Sequence, residues 1–400
     1  MKQSIANPSL LRKAVLTFAL SAVAGLAQAQ APDYKKIHEK VILVDTHNDV
    51  LISILEGMDI SKDLRGKTHS DLARFKEGGV DVQFFSVWSD ETGDYKYATL
   101  QIDTLKAVVA RNPQHMLFAT SYNEMMQAVA QGKMASMIGV EGGHMIDNDL
   151  KKLKSLYKQG ARYMTLTWNN STPWATSAAD ETSGKIPENK KGLTKFGRKV
   201  VKRMNKMGML VDLSHVGERT FWDAMAKTKK PVLVSHSSVH SIAPVPRNLK
   251  DDQIKAIAKN GGVIQLNFYS GFLDPEFYTR VEAFRERHKT ETDSLRSLGW
   301  SSSNVAERLR QKYPEEVEVI RPPLSILFDH LDHIVKLVGV DYVGMGSDFD
   351  GISSTPRQLD GVNDFPVITK ELLARGYTEE EVYKILGGNF LRVYKANERK

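Results

Sequence analysis

The chain of 400 residues contains no cysteine. This absence excludes disulfide bonds, cysteine nucleophiles, thiolate zinc sites, iron–sulfur clusters and lipid anchors attached through cysteine. Any metal site must therefore be built from His, Asp and Glu. Long apolar runs are also scarce, since the stretch at positions 14–26 has only thirteen residues, too few to span a bilayer comfortably. With 41% hydrophobic and 26% charged residues, the composition is typical of a soluble globular protein with a sizeable core.

Residues 1–29 have the pattern of a secretory signal peptide. Lys2, Arg12 and Lys13 are the only charges there, the apolar stretch follows, and Ala-Gln-Ala at 27–29 is a small-x-small cleavage pattern. An uncleaved anchor is the alternative, but no stop-transfer pattern follows. We expect an exported protein, periplasmic and without a stable membrane anchor. Without the three basic residues the net charge falls from +7 to +4, too little over the remaining chain to indicate nucleic-acid binding.

Short β-rich apolar segments alternate with amphipathic stretches from residue 40 onward. Near-continuous apolar strands separated by helices predict a parallel sheet covered on both faces. Eight such strands over about 350 residues indicate an α/β fold of the (β/α)8, TIM-like barrel type. A doubly wound sheet is the alternative, but no G-x-G-x-x-G follows the first strand. The predicted strands are 40–46, 80–87, 134–141, 161–168, 209–214, 231–235, 262–268 and 342–347; the predicted helices include 97–111, 150–159, 195–207 and 251–259.

Two segments interrupt this alternation. Residues 171–191 are rich in Ser, Thr, Asn, Gly and Pro and predict a long loop after the fourth strand. Residues 274–323 are highly charged and predict a helical insertion between the seventh and eighth strands. Such segments often act as lids, but an oligomer contact is an equal alternative, so a homodimer stays open. No Pro/Gly-rich linker divides the chain, and we therefore expect one domain over residues 30–400.

Metal-competent side chains follow the ends of several predicted strands. His47 and Asp49 follow the first strand, Glu141 ends the third, His215 ends the fifth and His236 ends the sixth. In a parallel barrel these ends share one rim, where active sites lie. Imidazole and carboxylate ligands suit two zinc-like ions, which Glu141 could bridge through its two oxygens. Because paired metals can share a water and lower its pKa toward neutrality, the predicted chemistry is hydrolysis.

The order and spacing of these segments resemble the membrane (renal) dipeptidase family, zinc metallopeptidases of the amidohydrolase-like barrels. The resemblance runs from about residue 42 to residue 392. It implies that His47 and Asp49 bind one Zn²⁺, that His215 and His236 bind a second, and that Glu141 bridges the two. The matching motifs are DTHND at 45–49, GVEGG at 139–143, VDLSHVG at 211–217, VSHSSVHSIAPVPRN at 234–248 and GMGSDFDG at 344–351.

The same resemblance assigns two further residues. It implies that Arg247 holds the C-terminal carboxylate of the substrate and that the catalytic Asp348, which follows the eighth strand, handles protons and contacts substrate. Both roles agree with the side chains, because arginine matches a carboxylate bidentately and a carboxylate can accept a proton from water and return it to the leaving amine. Without the resemblance, Arg247 could equally be a solvated surface charge and Asp348 a turn cap.

One position departs from the family pattern. Family members commonly carry a His after the fourth strand that contacts the substrate near its carbonyl, whereas Trp168 occupies that position here. Tryptophan is larger and offers only an N–H donor, so we expect Trp168 to bind substrate differently or to reshape the pocket. The five predicted metal ligands are unaffected by this change.

The expected activity is hydrolysis of the peptide bond of dipeptides by a hydroxide that bridges two zinc ions. Substrates with a C-terminal D-amino acid are included in what the resemblance implies. Two alternatives stay open. The first is another binuclear hydrolase, acting on N-acyl amino acids or lactones, and the second is a non-catalytic protein that binds metal or peptides.

Overall fold

Nine parallel strands form the centre of the computed structural model, which describes residues 33–399. Their order is β2-β1-β9-β8-β7-β6-β5-β4-β3, and β2 also pairs with β4. That last pairing closes eight of the strands into a barrel, which confirms the predicted (β/α)8 fold. The strands are β1 (Leu43–Asn48), β2 (Val80–Trp88), β3 (Met116–Phe118), β4 (Met134–Glu141), β5 (Ala161–Thr165), β6 (Leu210–Asp212), β7 (Leu233–Ser237), β8 (Val263–Leu266) and β9 (Val343–Met345).

The sequence did not predict β3, and some of the predicted barrel strands are longer than the observed ones. β3 has three residues and pairs only with β4, so it lies outside the closed ring and carries too short an apolar pattern to recognise. β6 ends at Asp212 rather than at residue 214. Beyond Asp212, the backbone N–H of Ser214 donates to Oδ1 of Asp212 at 3.2 Å, and His215 then turns the chain with a left-handed φ of 63°.

Helices follow most strands and surround the barrel. The helices that cover the ring match the predicted ones closely, and α6 and α8 match them to the residue. Within residues 33–399 the helices are α1 (Tyr34–His38), α2 (Val50–Leu55), α3 (Leu72–Glu77), α4 (Tyr95–Arg111), α5 (Tyr122–Ala130), α6 (Leu150–Gln159), α7 (Ala178–Thr182), α8 (Lys195–Met207), α9 (Glu218–Met225), α10 (Asp251–Asn260), α11 (Ser270–Leu273), α12 (Phe277–Arg287), α13 (Lys289–Ser297), α14 (Ser302–Lys312), α15 (Pro314–Ile320), α16 (Ser325–Val338), α17 (Phe365–Ala374), α18 (Glu379–Tyr383) and α19 (Asn389–Asn397).

Helix α8 illustrates why these segments are helical. Thr194 caps its first turn by accepting a hydrogen bond from the backbone N–H of Gly197. Gly208 ends it with φ of 82°, a left-handed conformation that glycine adopts without strain. Val200 and Met204 are buried on one face and pack toward the sheet, as the spacing of an amphipathic helix requires.

The two segments that interrupt the repeat behave differently from each other. Residues 274–323 lie between β8 and β9 and contain α12–α15, as the sequence predicted. These helices carry a small apolar cluster of their own that includes Phe277, Phe284 and Leu309. Residues 171–191 are mainly loop, with the short α7 and one 3-10 turn. No helix within residues 33–399 is both long and apolar enough to cross a membrane, and the predicted signal peptide at 1–29 lies outside the described residues.

The two ends of the barrel are closed to different degrees. Phe390 and Tyr394 of α19 share one buried apolar cluster with Val44, Leu210 and Val263, which lie near the starts of their strands. Packing of α19 therefore closes the amino-terminal end. The carboxyl ends of the strands are left to the connecting loops, and this is where polar side chains can face a cavity.

Candidate metal centre

The five predicted metal ligands meet at the carboxyl rim of the barrel. His47 lies near the end of β1, Asp49 begins α2, Glu141 is the last residue of β4, and His236 lies in β7. His215 follows β6 in the turn with positive φ. All five residues are buried. The structure therefore brings together residues that are separated by up to 189 positions, because parallel strands place their carboxyl ends side by side.

Glu141 occupies the middle of this group. One of its oxygens, Oε1, lies 2.8 Å from Nε2 of His215 and 3.4 Å from Nε2 of His236. The other, Oε2, lies 3.3 Å from Nε2 of His47. The same Nε2 of His47 also lies 3.5 Å from Oδ2 of Asp49. The carboxylate of Glu141 thus faces two sets of donors at once, which is the arrangement expected of a bridging ligand.

The orientation of His47 is fixed by a tyrosine. Oη of Tyr163 donates to the carbonyl oxygen of Thr46 at 3.0 Å, so it can only accept from Nδ1–H of His47, 2.9 Å away. This leaves the lone pair of Nε2 directed at the centre. That buried Nε2 has no hydrogen-bond partner, and neither has Oδ1 of Asp49.

The other two histidines are held in the same way. Nδ1 of His215 lies 3.1 Å from Oδ1 of Asn169, which is an acceptor. Nδ1 of His236 lies 2.9 Å from Oγ of Ser235, and that hydroxyl donates its proton to Asp212 at 2.6 Å. Each histidine therefore donates Nδ1–H to a group outside the centre and directs Nε2 at the centre, as metal-binding histidines do. The two Nε2 atoms lie only 2.9 Å apart, and two lone pairs at that distance need a cation between them.

The electrostatics of the group favour a cation. Burial lowers the pKa of His215 to about 4 and that of His236 well below its usual value, so both imidazoles are neutral, as coordination requires. Burial alone would raise the pKa of Glu141, but the neighbouring histidines hold it well below its usual range. At His47 burial is outweighed by Tyr163 and Glu141, and its pKa is raised well above its usual value. Positive charge at Nε2 is therefore stabilised, whether a proton or a metal supplies it.

The donor set fits a small divalent ion. Ligand atoms around a tetrahedral zinc lie about 3.3 Å apart, and the separations between Glu141, the three histidines and Asp49 run from 2.8 to 3.5 Å. Three imidazoles with two carboxylates suit zinc better than magnesium or calcium, which prefer oxygen. His47, Glu141 and His236 form one group able to hold an ion, and His47, Asp49 and Asp348 form another.

Asp348 lies beside the predicted ligands. Its Oδ1 is 3.9 Å from Nε2 of His47, and its Oδ2 accepts from Nδ2 of Asn267 at 2.7 Å. The residue has a left-handed φ of 62°, a costly conformation for a residue other than glycine that is common at functional sites. Burial raises its pKa well above the usual value. The carboxyl group can therefore hold a proton next to the metal centre.

Trp168 and Arg247 line two cavities that both border His215. Trp168 lines a cavity of about 410 Å³ together with Glu141, His215 and Asp348. Arg247 lines a second cavity, of about 270 Å³, and within residues 33–399 His215 is the one residue that lines both. Contact of Trp168 and Arg247 with substrate stays a prediction, and the structure places one of them in each cavity.

Arg247 is anchored by backbone and side-chain contacts. Its Nη1 donates to Oγ of Ser237 at 3.2 Å and its Nη2 to the carbonyl oxygen of His236 at 3.3 Å. The guanidinium lies 5.2 Å from the ring of Phe272, and its buried Nε has no partner. Burial lowers its pKa to about 10, so it stays charged at neutral pH and keeps a donor for an anion.

Several residues of the site were not predicted. Tyr163, Ser235, Asp212 and Asn267 orient the predicted ligands or Asp348 without facing the cavity as ligands themselves. Asn169 likewise orients His215 through its Oδ1. One signal was present: VDTH and VDLSH each carry an Asp inside an apolar strand, and a charge at such a position needs buried partners.

A closed (β/α)8 barrel whose carboxyl rim gathers histidine and carboxylate donors defines a metal-dependent hydrolase. The sequence model of the membrane dipeptidases, peptidase family M19, matches residues 32–400. The chain belongs to this family and is a metallo-dipeptidase, which confirms the resemblance.

Similar proteins agree with this assignment. Uncharacterized dipeptidase C965.12 of Schizosaccharomyces pombe is 32% identical over 389 residues, which cover 91% of this chain and 82% of that protein. The probable dipeptidase PvdM from Pseudomonas aeruginosa has the same fold, with a TM-score of 0.74 and 23% identity over 91% of this chain and 97% of that one. A metallo peptidase from Rhodobacter sphaeroides, liganded with a phosphinate mimic of the dipeptide L-Ala-D-Ala, gives a TM-score of 0.71 and 23% identity over 89% of this chain and 99% of that one.

Proposed function

We propose that this metallo-dipeptidase holds two Zn²⁺ ions and hydrolyses free dipeptides, including those that end in a D-amino acid. The observation that carries the proposal is the common orientation of His47, His215 and His236, each of which directs Nε2 at Glu141. His47 and Asp49 would hold one ion, His215 and His236 the other, and Glu141 would contact both. When bound, the ions would supply an activated water and polarise the substrate carbonyl.

The residues beside the metal centre bind substrate and move the proton. Asp348 accepts a proton at Oδ1 and returns it to the leaving amine, while Asn267 fixes the other oxygen at 2.7 Å. Burial raises the pKa of Asp348, which favours the protonated carboxyl group that passes its proton to the leaving amine. Arg247 pairs with the free carboxylate of the substrate through its remaining donors, since a guanidinium matches a carboxylate.

The size of the two cavities supports a short substrate. Their volumes are about 410 and 270 Å³, and His215 lines both, which suits a small ligand. Trp168 bounds the first cavity and Arg247 the second. The Rhodobacter sphaeroides relative carries a mimic of L-Ala-D-Ala, which supports dipeptides with a C-terminal D-residue as substrates here.

The place of action is part of the proposal. The signal-peptide pattern of residues 1–29 supports export to the periplasm and release as a protein without an anchor. Fractionation of cells that express the full chain should place the protein in the periplasm. Sequencing of its amino terminus should give a start near Gln30. Recovery of the uncleaved chain in the membrane fraction would contradict both expectations. A homodimer stays a prediction, which light scattering of the exported protein can test.

The activity can be tested directly by metal removal and return. Chelator-treated protein should contain no zinc and hydrolyse nothing. Protein restored with zinc should contain about two ions per chain and cleave L-Ala-D-Ala and L-Ala-L-Ala. N-acetyl-L-alanine and a simple lactone serve as comparison substrates. Faster turnover of either comparison substrate would favour the other class of binuclear hydrolase, and two bound zinc ions with no turnover at all would favour a binding protein.

A further inference from the structure

The larger cavity has an aromatic wall next to the metal centre. Trp88, the last residue of β2, stands opposite Glu141 in the pairing of β2 with β4. Its ring makes an edge-to-face contact with Trp168, with centroids 5.2 Å apart and planes at 70°. The ring of Trp168 in turn lies 6.4 Å from that of His215. Two large rings therefore flank the donors at which the proposed reaction takes place.

The rest of this cavity has an apolar part and an acidic part. Tyr269 and Phe272 pack edge to face with ring centroids 5.0 Å apart, and both line the cavity with Ile52 and Ile352, whereas the carboxylates of Asp49, Glu141 and Asp348 line the side at the metal centre. The second cavity has only one aromatic side chain besides its histidines, Phe221. Its lining side chains are largely polar or charged and include Glu181, Lys191, Glu218, Arg247 and Lys250.

The difference between the cavities orients a dipeptide. This step rests on the proposed function, in which Arg247 binds the free carboxylate. The carboxyl-terminal residue then faces the charged cavity, because Arg247 lies there. The amino-terminal residue, whose carbonyl is attacked at the metal centre, is then left to the larger cavity, which Glu141 and Asp348 line. Its side chain is therefore placed against Trp88 and Trp168.

We propose that Trp88 and Trp168 determine specificity, and that this enzyme prefers dipeptides whose amino-terminal residue carries a large apolar or aromatic side chain. A phenyl group packed against this pair of rings would leave water and make aromatic contacts. These gains correspond to about a ten- to hundredfold preference in kcat/KM over glycine at the same position. The second cavity is lined by Phe221 but by no pair of large aromatic rings, so the preference applies to one end of the substrate only.

The test compares Phe-Ala, Gly-Ala and Ala-Phe as substrates of the zinc-loaded enzyme. The wild type should cleave Phe-Ala at least tenfold better than Gly-Ala, in kcat/KM, and also better than the reversed Ala-Phe. Trp168→Ala should lower the ratio of kcat/KM for Phe-Ala to that for Gly-Ala about tenfold, whereas Trp168→Phe should keep most of the preference. Trp300→Ala is the matched control, because Trp300 is 42% exposed in the insertion and lines neither cavity.

The outcomes separate the inference from the function beneath it. If no dipeptide is cleaved, the proposed function fails and the preference fails with it. If all three are cleaved with kcat/KM values within threefold of one another, the function stands and the aromatic preference is overturned. The same holds if Trp168→Ala slows Phe-Ala and Gly-Ala equally. The wild-type comparison decides the question even if a variant does not fold.

Discussion

Buried histidines occur in two regions of this molecule, and they are satisfied in different ways. His330 in α16 is fully buried, and both of its ring nitrogens have partners. Its Nδ1 accepts from the backbone N–H of Val239 at 2.9 Å, and its Nε2 donates to the carbonyl oxygen of Leu273 at 2.9 Å. His38 likewise has a partner for each nitrogen. Both histidines therefore link segments that are distant in sequence through hydrogen bonds.

The rim histidines, His47, His215 and His236, have an acceptor at Nδ1 only. Their Nε2 atoms face one another and Glu141 instead of a hydrogen-bond donor or acceptor of the backbone. Burial and residue type are the same in both regions, so neither identifies a ligand. The difference lies in the second nitrogen: where the fold satisfies it, the histidine is structural, and where the fold leaves it converging with others, a cation completes the site.

The largest effect is expected from Glu141→Ala. Removing the carboxylate leaves the rim histidines without their common negative partner. We expect zinc content to fall from about two ions per chain to less than one, and kcat/KM for L-Ala-D-Ala to fall at least a thousandfold. Glu124→Ala is the control, since Glu124 only accepts from Thr120 far from the rim and should cost about 1 kcal/mol of stability. Full zinc content in Glu141→Ala would show that Glu141 is not a ligand.

A smaller effect on zinc binding is expected when the candidate ligands stay in place but one hydrogen bond that orients them is removed. Tyr163→Phe removes the acceptor for Nδ1–H of His47 while keeping the ring, which fits into the space beside Gly139. Zinc affinity, measured by competition with a coloured chelator, should fall about ten- to hundredfold. Tyr394→Phe removes a buried hydroxyl that contacts Thr120 and should leave zinc affinity unchanged. Equal affinities in all three proteins would mean that the tautomer of His47 is set by other groups.

A third variant distinguishes crowding of the site from ordinary backbone strain. A methyl group on Gly351 would lie 2.1 Å from Oδ2 of Asp49 and 2.7 Å from Oδ1 of Asp348, so Gly351→Ala must displace both carboxylates. We expect kcat/KM to fall about tenfold, because small displacements at a reacting centre are costly. Gly376→Ala meets nothing within 4 Å but has φ of 89°, and it should lower the free energy of unfolding by about 1 kcal/mol with unchanged kinetics. Unchanged kinetics in Gly351→Ala together with slower turnover in Gly376→Ala would show that Gly351 does not hold the two carboxylates in place.

The sequence predicts the rim better than it predicts what supports the rim. Strand ends are visible as apolar runs that stop at His or Glu, and the barrel places such ends together, so five candidate ligands could be named. The hydrogen bonds at Nδ1 of the three rim histidines could not be predicted in this way. Tyr163, Asn169 and Ser235 are ordinary residue types, and their roles depend on the register of β5 with its neighbours and on the closure of the ring.

The backbone conformation at the rim could not be predicted from the sequence either. His215 and Asp348 both have positive φ, which the apolar patterns before them did not indicate. It was also not predictable that Arg247, only eleven positions from His236 in sequence, would line a different cavity from Trp168. Local pattern fixes which residues reach the rim, whereas tertiary packing decides which way they point.

The smallest effect is expected at the structural histidine, and it appears in stability rather than in catalysis. Burial lowers the pKa of His330 to about 4, against 6.5 in the unfolded chain. Between these values the unfolded state binds a proton that the native state does not, so stability is present above pH 6.5 and is lost as the pH falls. From pH 7 to pH 5 this one residue should cost about 2 kcal/mol. His330→Asn should be less stable than the wild type at pH 7, and the gap in the free energy of unfolding should narrow toward pH 5. Because both proteins keep the rim histidines, metal binding cancels in the difference, and a gap that stays constant with pH would mean that His330 titrates normally in the native state.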